Sequence, residues 1–225
     1  MKPGAFATPS HWLMGAHIAV VTSVQDPDSK SRIQVQVMGA DADGDALLWA
    51  RVAVPFAGNN RGAFLIPDVG DEVIVHFIGG DPRFPVVCGA LWNGQTSVPE
   101  TIGGDRIDRW TLTGKNGTRI AIVEQSEGQE LVEIETPNGV KTTLTDADGG
   151  KIELKNGGSR LTMTSGGVKI STGTFEVQAS TIKLTAPTFN VDTPLANFSD
   201  MILCDTLIST SVVSLNYTPG AGNIW

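Results

Sequence analysis

Residues 161–198 read LTMTSGGVKISTGTFEVQASTIKLTAPTFNVDTPLANF, and their spacing decides the fold. Apolar pairs two residues apart recur every seven residues: Leu161/Met163, Val168/Ile170, Phe175/Val177, Ile182/Leu184, Phe189/Val191 and Ala196/Phe198. A coiled-coil heptad places its apolar residues three and four apart, so that they share one seam. Spacing of two separates a pair on a helix but unites it on one face of a strand. The interval is rich in Thr, Val, Ile and Phe and poor in helix formers. The pattern predicts a ladder of short strands.

The middle residue of each triplet is polar: Thr162, Lys169, Glu176, Lys183, Asn190 and Asn197. Each triplet thus alternates in, out, in. An odd repeat cannot sustain an even alternation, so every copy needs one break. Small and turn-forming residues such as Gly166-Gly167, Gly173, Pro187 and Pro194 occupy the connections where that break falls. A seven-residue coil is too short to enclose a core, and its edges leave N–H and C=O groups unpaired. Several chains wound round one axis solve both problems, most simply as a trimeric β-prism. A single-chain β-solenoid is the alternative, although its coils are generally longer. The trimer core is expected at Leu161, Met163, Val168, Ile170, Phe175, Val177, Ile182, Leu184, Phe189, Val191 and Phe198.

Upstream, the same needle is expected to begin with longer strands at 119–124, 129–136 and 140–145, separated by Gly- and Asn-containing turns. Residues 119–216 are read as this spike and 217–225 as a compact tip ending in Asn223, Ile224 and Trp225. Residues 17–95 have a different rhythm. Five β-branched runs (17–24, 32–37, 48–55, 72–78 and 85–91) are bounded by turns, with a longer excursion between the third and fourth. That arrangement predicts a small closed barrel of the OB type. Residues 1–16 form a docking segment around Trp12, Leu13 and Met14, and 96–118 form a linker.

Composition narrows the function classes. A net charge of −8 over 225 residues argues against binding nucleic acid. No apolar run reaches the roughly 20 residues that span a bilayer, and no signal-peptide pattern opens the chain, so synthesis as a soluble cytoplasmic product is expected. Cys88 and Cys204 are expected to be unpaired, small buried hydrophobes.

Two stretches of the barrel carry a resemblance. One is Ala50-Arg51-Val52-Ala53-Val54-Pro55-Phe56-Ala57-Gly58-Asn59-Asn60-Arg61-Gly62. The other runs from Ile66-Pro67-Asp68-Val69-Gly70-Asp71-Glu72-Val73 through Gly80-Asp81-Pro82-Arg83-Phe84-Pro85-Val86-Val87 to Gly89-Ala90-Leu91-Trp92-Asn93. Together they resemble the contractile-tail spike proteins of the baseplate assembly protein V type and the related VgrG spikes of type VI secretion. The resemblance implies a barrel collar followed by a triple-stranded β-helix, a seat on baseplate hub and tail tube proteins, and a place in the virion's tail baseplate. Trp92 is expected to close the barrel bottom. The lack of a large hub-like segment ahead of the barrel favours a phage or pyocin-type particle over a secretion system.

Chemistry-bearing motifs are sparse. Some family members carry a lysozyme domain between barrel and needle, but only about 25 residues stand there in this chain. Others bind iron through a terminal His-x-His, whereas the histidines here are His11, His17 and His76. Asp41, Asp43 and Asp45 alternate without the Glu that closes a calcium loop. Asp68, Asp71 and Glu72 read as turn residues and not as a glycosidase pair. No catalytic residue, metal site or cofactor is expected. The sequence points to a homotrimeric spike that pierces an outer membrane mechanically, with room for a tip-capping protein. The alternative is a trimeric, tail-fibre-like protein that binds or depolymerises carbohydrate.

Overall fold

The computed structural model describes residues 13–39 and 47–213. No α-helix occurs among them, and two single 3-10 turns are the only helical pieces. Strands β1 (Ala16–Ser23), β2 (Ile33–Val37), β3 (Leu47–Val52), β6 (Glu72–Phe77) and β7 (Pro85–Leu91) close a barrel in the order β1-β2-β3-β7-β6. All pairings are antiparallel except β3 with β7, which closes the barrel in parallel. The excursion between β3 and β6 carries a two-residue hairpin, β4 (Ala57–Gly58) and β5 (Arg61–Gly62), turned by Asn59 and Asn60. Asn60 takes a left-handed φ of 53°, a conformation asparagine tolerates well.

Alternation places the core. Ala19 and Val21, then Ile33, Val35 and Val37, then Val73, Val75 and Phe77 point inward at spacing two, with Ala50 and Val87 completing the cluster. Leu13 packs against it, and its N–H donates to the Gly80 carbonyl at 2.8 Å. Residues 1–12 of the N-terminal docking segment lie outside the described residues, as do Asp41, Asp43 and Asp45.

Two expectations for β7 and its exit are corrected. Cys88 is exposed, because Ile74 faces Gly89 while Val75 faces Val87, which leaves Cys88 as the extra residue of a β-bulge. Trp92 is 69% exposed and does not plug the barrel, whose interior the β-branched residues fill. It lines a cleft with Phe64, Pro99, Thr113 and Lys115. Cys204 is exposed as well.

After the barrel the chain makes a seven-stranded antiparallel meander in strict sequence order. Its strands are β8 (Arg109–Thr113), β9 (Arg119–Glu124), β10 (Glu130–Glu135), β11 (Lys141–Thr145), β12 (Lys151–Asn156), β13 (Ser159–Thr164) and β14 (Gly167–Ser171). The interval 96–118 therefore contains a strand, β8, in which Trp110 and Leu112 alternate with threonines. Glycines at 117, 128 and 139 turn successive hairpins with positive φ, which a Cβ would oppose.

Residues 174–213 form a separate unit. They contain no strand, and every one of them is exposed. Backbone bends fall at Gly173, Ser180, Pro187 and Pro194, a spacing of seven. Beyond Phe198 that spacing lapses, with bends at Ser199, Asp200, Asp205 and Thr210. At Pro194 the bend is closed locally, since the Thr193 hydroxyl donates to the Leu195 carbonyl at 3.1 Å. The tip residues Asn223, Ile224 and Trp225 lie outside the described residues.

Candidate functional site: an uncovered apolar sheet face

The registers of the meander align its alternating residues into rows that cross all seven strands. One row is Trp110, Ile122, Val132, Leu144, Ile152, Met163 and Val168. The row beside it is Leu112, Ile120, Ile134, Thr142, Leu154, Leu161 and Ile170. Every position but Thr142 is apolar. Residues this large on a sheet face normally lie under another layer. Here all but the half-buried Leu161 stay open to solvent, from 40% exposed at Val132 and Ile152 to 62% at Val168. A contiguous apolar patch of this extent marks an interaction surface.

The opposite face is covered over β8–β10, while Lys155, Arg160, Thr164 and Lys169 stay exposed on β12–β14. Residues 100–108 are tied across it by Glu100, which accepts from Arg119 at 2.7 Å and pairs with Arg109 at 3.4 Å. The Glu124 N–H donates to the Asp108 carbonyl at 2.7 Å, and the Arg106 guanidinium donates to the Gln125 carbonyl at 3.1 Å. Ala121 and Val123 are buried on this side. So is Glu133, at 7% exposure, a carboxylate that needs cations beside it. Arg119 supplies one at 3.2 Å and Lys141 another at 2.5 Å. Arg119 is the main cause that holds the Glu100 carboxyl below its ordinary range, while Glu133 raises Lys141. Buried ion pairs on one face and bare apolar rows on the other thus distinguish the two sides of the sheet, and the large apolar side chains have no cover among the described residues.

The predicted core residues divide between two settings. Leu161 and Met163 on β13 oppose Ile170 and Val168 on β14, so these four sit at one end of the apolar face. Phe175, Val177, Ile182, Leu184, Phe189, Val191 and Phe198 belong to the separate unit, each between 53% and 69% exposed. Sequence reasoning placed the core in the strict repeat and continued its inward line upstream through Leu131, Ile134, Ile152 and Leu154. The registers put the last three in these rows and Leu131 on the opposite face beside Val123, and they add Trp110, Ile122 and Leu144, which it did not name. Their alternation was visible, but the hairpin registers that align them were not.

Asp68, Asp71 and Glu72 are structural. The Asp71 carboxylate accepts the Asp68 N–H at 2.8 Å, Glu72 begins β6, and Asp68 is ion-paired with Lys115. Lys115 holds the Asp68 carboxyl below its ordinary value, so it is poorly suited to donate a proton. Among the described residues no three of His, Cys, Asp or Glu gather as a metal-binding group.

Comparison with known proteins matches these parts one by one. Residues 17–92, the barrel, match the type VI secretion system/phage-baseplate injector OB domain. Residues 131–195 match the phage baseplate V C-terminal trimerisation domain, from β10 into the separate unit. Among curated proteins, the type VI secretion system spike protein VgrG4b of Pseudomonas aeruginosa is 30% identical over 135 residues, 55% of this chain and 17% of the relative. VgrG1c of the same species is 45% identical over 72 residues, 31% of this chain and 10% of the relative. VgrG3 of Vibrio cholerae is 43% identical over 51 residues, 23% of this chain and 5% of the relative. The chain thus spans about a sixth or less of the length of these relatives. With an injector barrel and a baseplate trimerisation domain in succession, the chain belongs to the baseplate V family of contractile-injector spikes, the family of the VgrG proteins.

Proposed function

We propose that this protein is the central spike of a phage-type contractile tail, a homotrimer whose barrels form a collar and whose C-terminal half forms an intertwined needle. A spike-like structural role in a contractile injection system follows from the family. The finer reading rests above all on the bare apolar face of the meander, continued by exposed triplets that bend every seven residues. Both features need walls that one chain does not supply. Three copies facing one axis cover the meander face and give each triplet a neighbouring strand for its backbone groups. The phage assignment is supported by the match of residues 131–195 to the phage baseplate V trimerisation domain.

In this reading the collar seats on the baseplate hub and tail tube, and the needle carries the thrust of contraction into an outer membrane. Stiffness comes from interchain hydrogen bonds around a dry core, and loss of the needle requires three chains to separate together. Immunogold labelling of intact particles with antibody to the full chain tests the assignment. Label at the distal centre of the baseplate is expected. Label along peripheral fibres, or polysaccharide binding by the purified protein, would favour the carbohydrate-binding alternative.

A further inference from the structure

Thr142 interrupts an otherwise apolar surface at a telling place. It lies on β11, the fourth of seven strands, and its row neighbours are Ile134 and Leu154. It is half-buried, and no hydrogen bond from its hydroxyl occurs among the described residues. Either neighbouring side chain would suit a purely hydrophobic wall better at this position.

We infer that Thr142 sets the axial register of the assembly, its hydroxyl meeting the two equivalent hydroxyls of partner chains in a closed ring at mid-height of the meander. The inference rests on the trimer reading above. Rows of similar aliphatic residues fix the face that turns inward but not its height. Three such walls can slide past one another by one hairpin, two strands or about 9.6 Å, and still match apolar rows. In register, each threonine donates one hydrogen bond and accepts another, so three hydroxyls satisfy one another around a threefold axis. After a slide, Thr142 faces Ile120 or Leu161, and three buried hydroxyls lose their partners. One polar layer in an apolar seam selects register in the same way between coiled helices. The central strand suits this role, because slides in either direction are then penalised alike.

The test uses the full chain with Cys88 and Cys204 replaced by Ser and a spin label at Lys155→Cys, an exposed position on the outward face of β12. Light scattering first establishes the parent's mass, and a folded single chain would overturn both the trimer and this inference. For a trimeric parent, one narrow interchain distance is expected. T142V, nearly the same shape without the hydroxyl, should stay trimeric but show a second or broadened distance, while T142S should keep the narrow one. A narrow distance in T142V, or equal broadening in T142S, would overturn the register inference alone and leave the trimer standing.

Discussion

Asp26 carries more of the barrel's order than its turn position foretells. Its carboxylate accepts N–H bonds from Asp28, Lys30 and Arg32 and the Arg32 guanidinium at 2.7 Å, which closes the β1–β2 loop on one side chain. Arg32 is the chief cause that holds the Asp26 carboxyl well below the carboxylate range, and Arg109 acts likewise on Asp108. A carboxyl lowered in the folded state adds stability that is complete above its unfolded value, near pH 4, and fades as pH falls toward the folded one. Acid unfolding followed by circular dichroism should therefore steepen below about pH 4, and Asp26→Asn should flatten that slope. In the core, Ile33→Ala should destabilise the barrel by about 2–5 kcal/mol in urea unfolding, with an unchanged slope. The sequence placed a turn between the runs 17–24 and 32–37 but did not show its closure by Asp26 and Arg32. It misplaced Cys88 because alternation loses its phase where a bulge inserts one residue, and no local signal marks that bulge.

Among the elements, the meander is held by different chemistry on its two faces, and the two separate by mutation. Glu100→Ala removes the carboxylate that Arg109 and Arg119 share, leaving Arg109 with Asp108 and Arg119 with Glu133. Hydrogen exchange should then rise in residues 100–108 while the barrel strands keep their protection. Leu154→Asp acts on the other face, where it buries three carboxylates without cations, a penalty of about 3–5 kcal/mol per chain. It should abolish assembly, seen as a drop in mass at micromolar concentration, while the barrel still folds. The five barrel strands were legible because each is a β-branched run between turn residues. β8 was not, because its five residues follow a Gly-rich joint and show only two apolar positions. The seven-residue spacing itself hid a distinction. From Leu161 to Val168 it describes a hairpin with antiparallel pairing, and from Phe175 onward an open chain that bends once per copy. A triplet plus a four-residue connection satisfies both, so the period gives the repeat without its connectivity.

At the scale of the molecule, one requirement joins the meander and the repeat. Both present apolar side chains that no described residue covers, and both fall largely within the match to a trimerisation domain. The composition allowed this to be anticipated, since the repeat is too short to shelter its own residues. In the trimer reading, what covers them lies in other copies, which no single sequence displays. Static light scattering coupled to size exclusion of the purified full chain examines this most directly. One species at three times 23.7 kDa that persists on dilution is expected. A folded species at 23.7 kDa with a protected, cooperatively melting C-terminal half would contradict it.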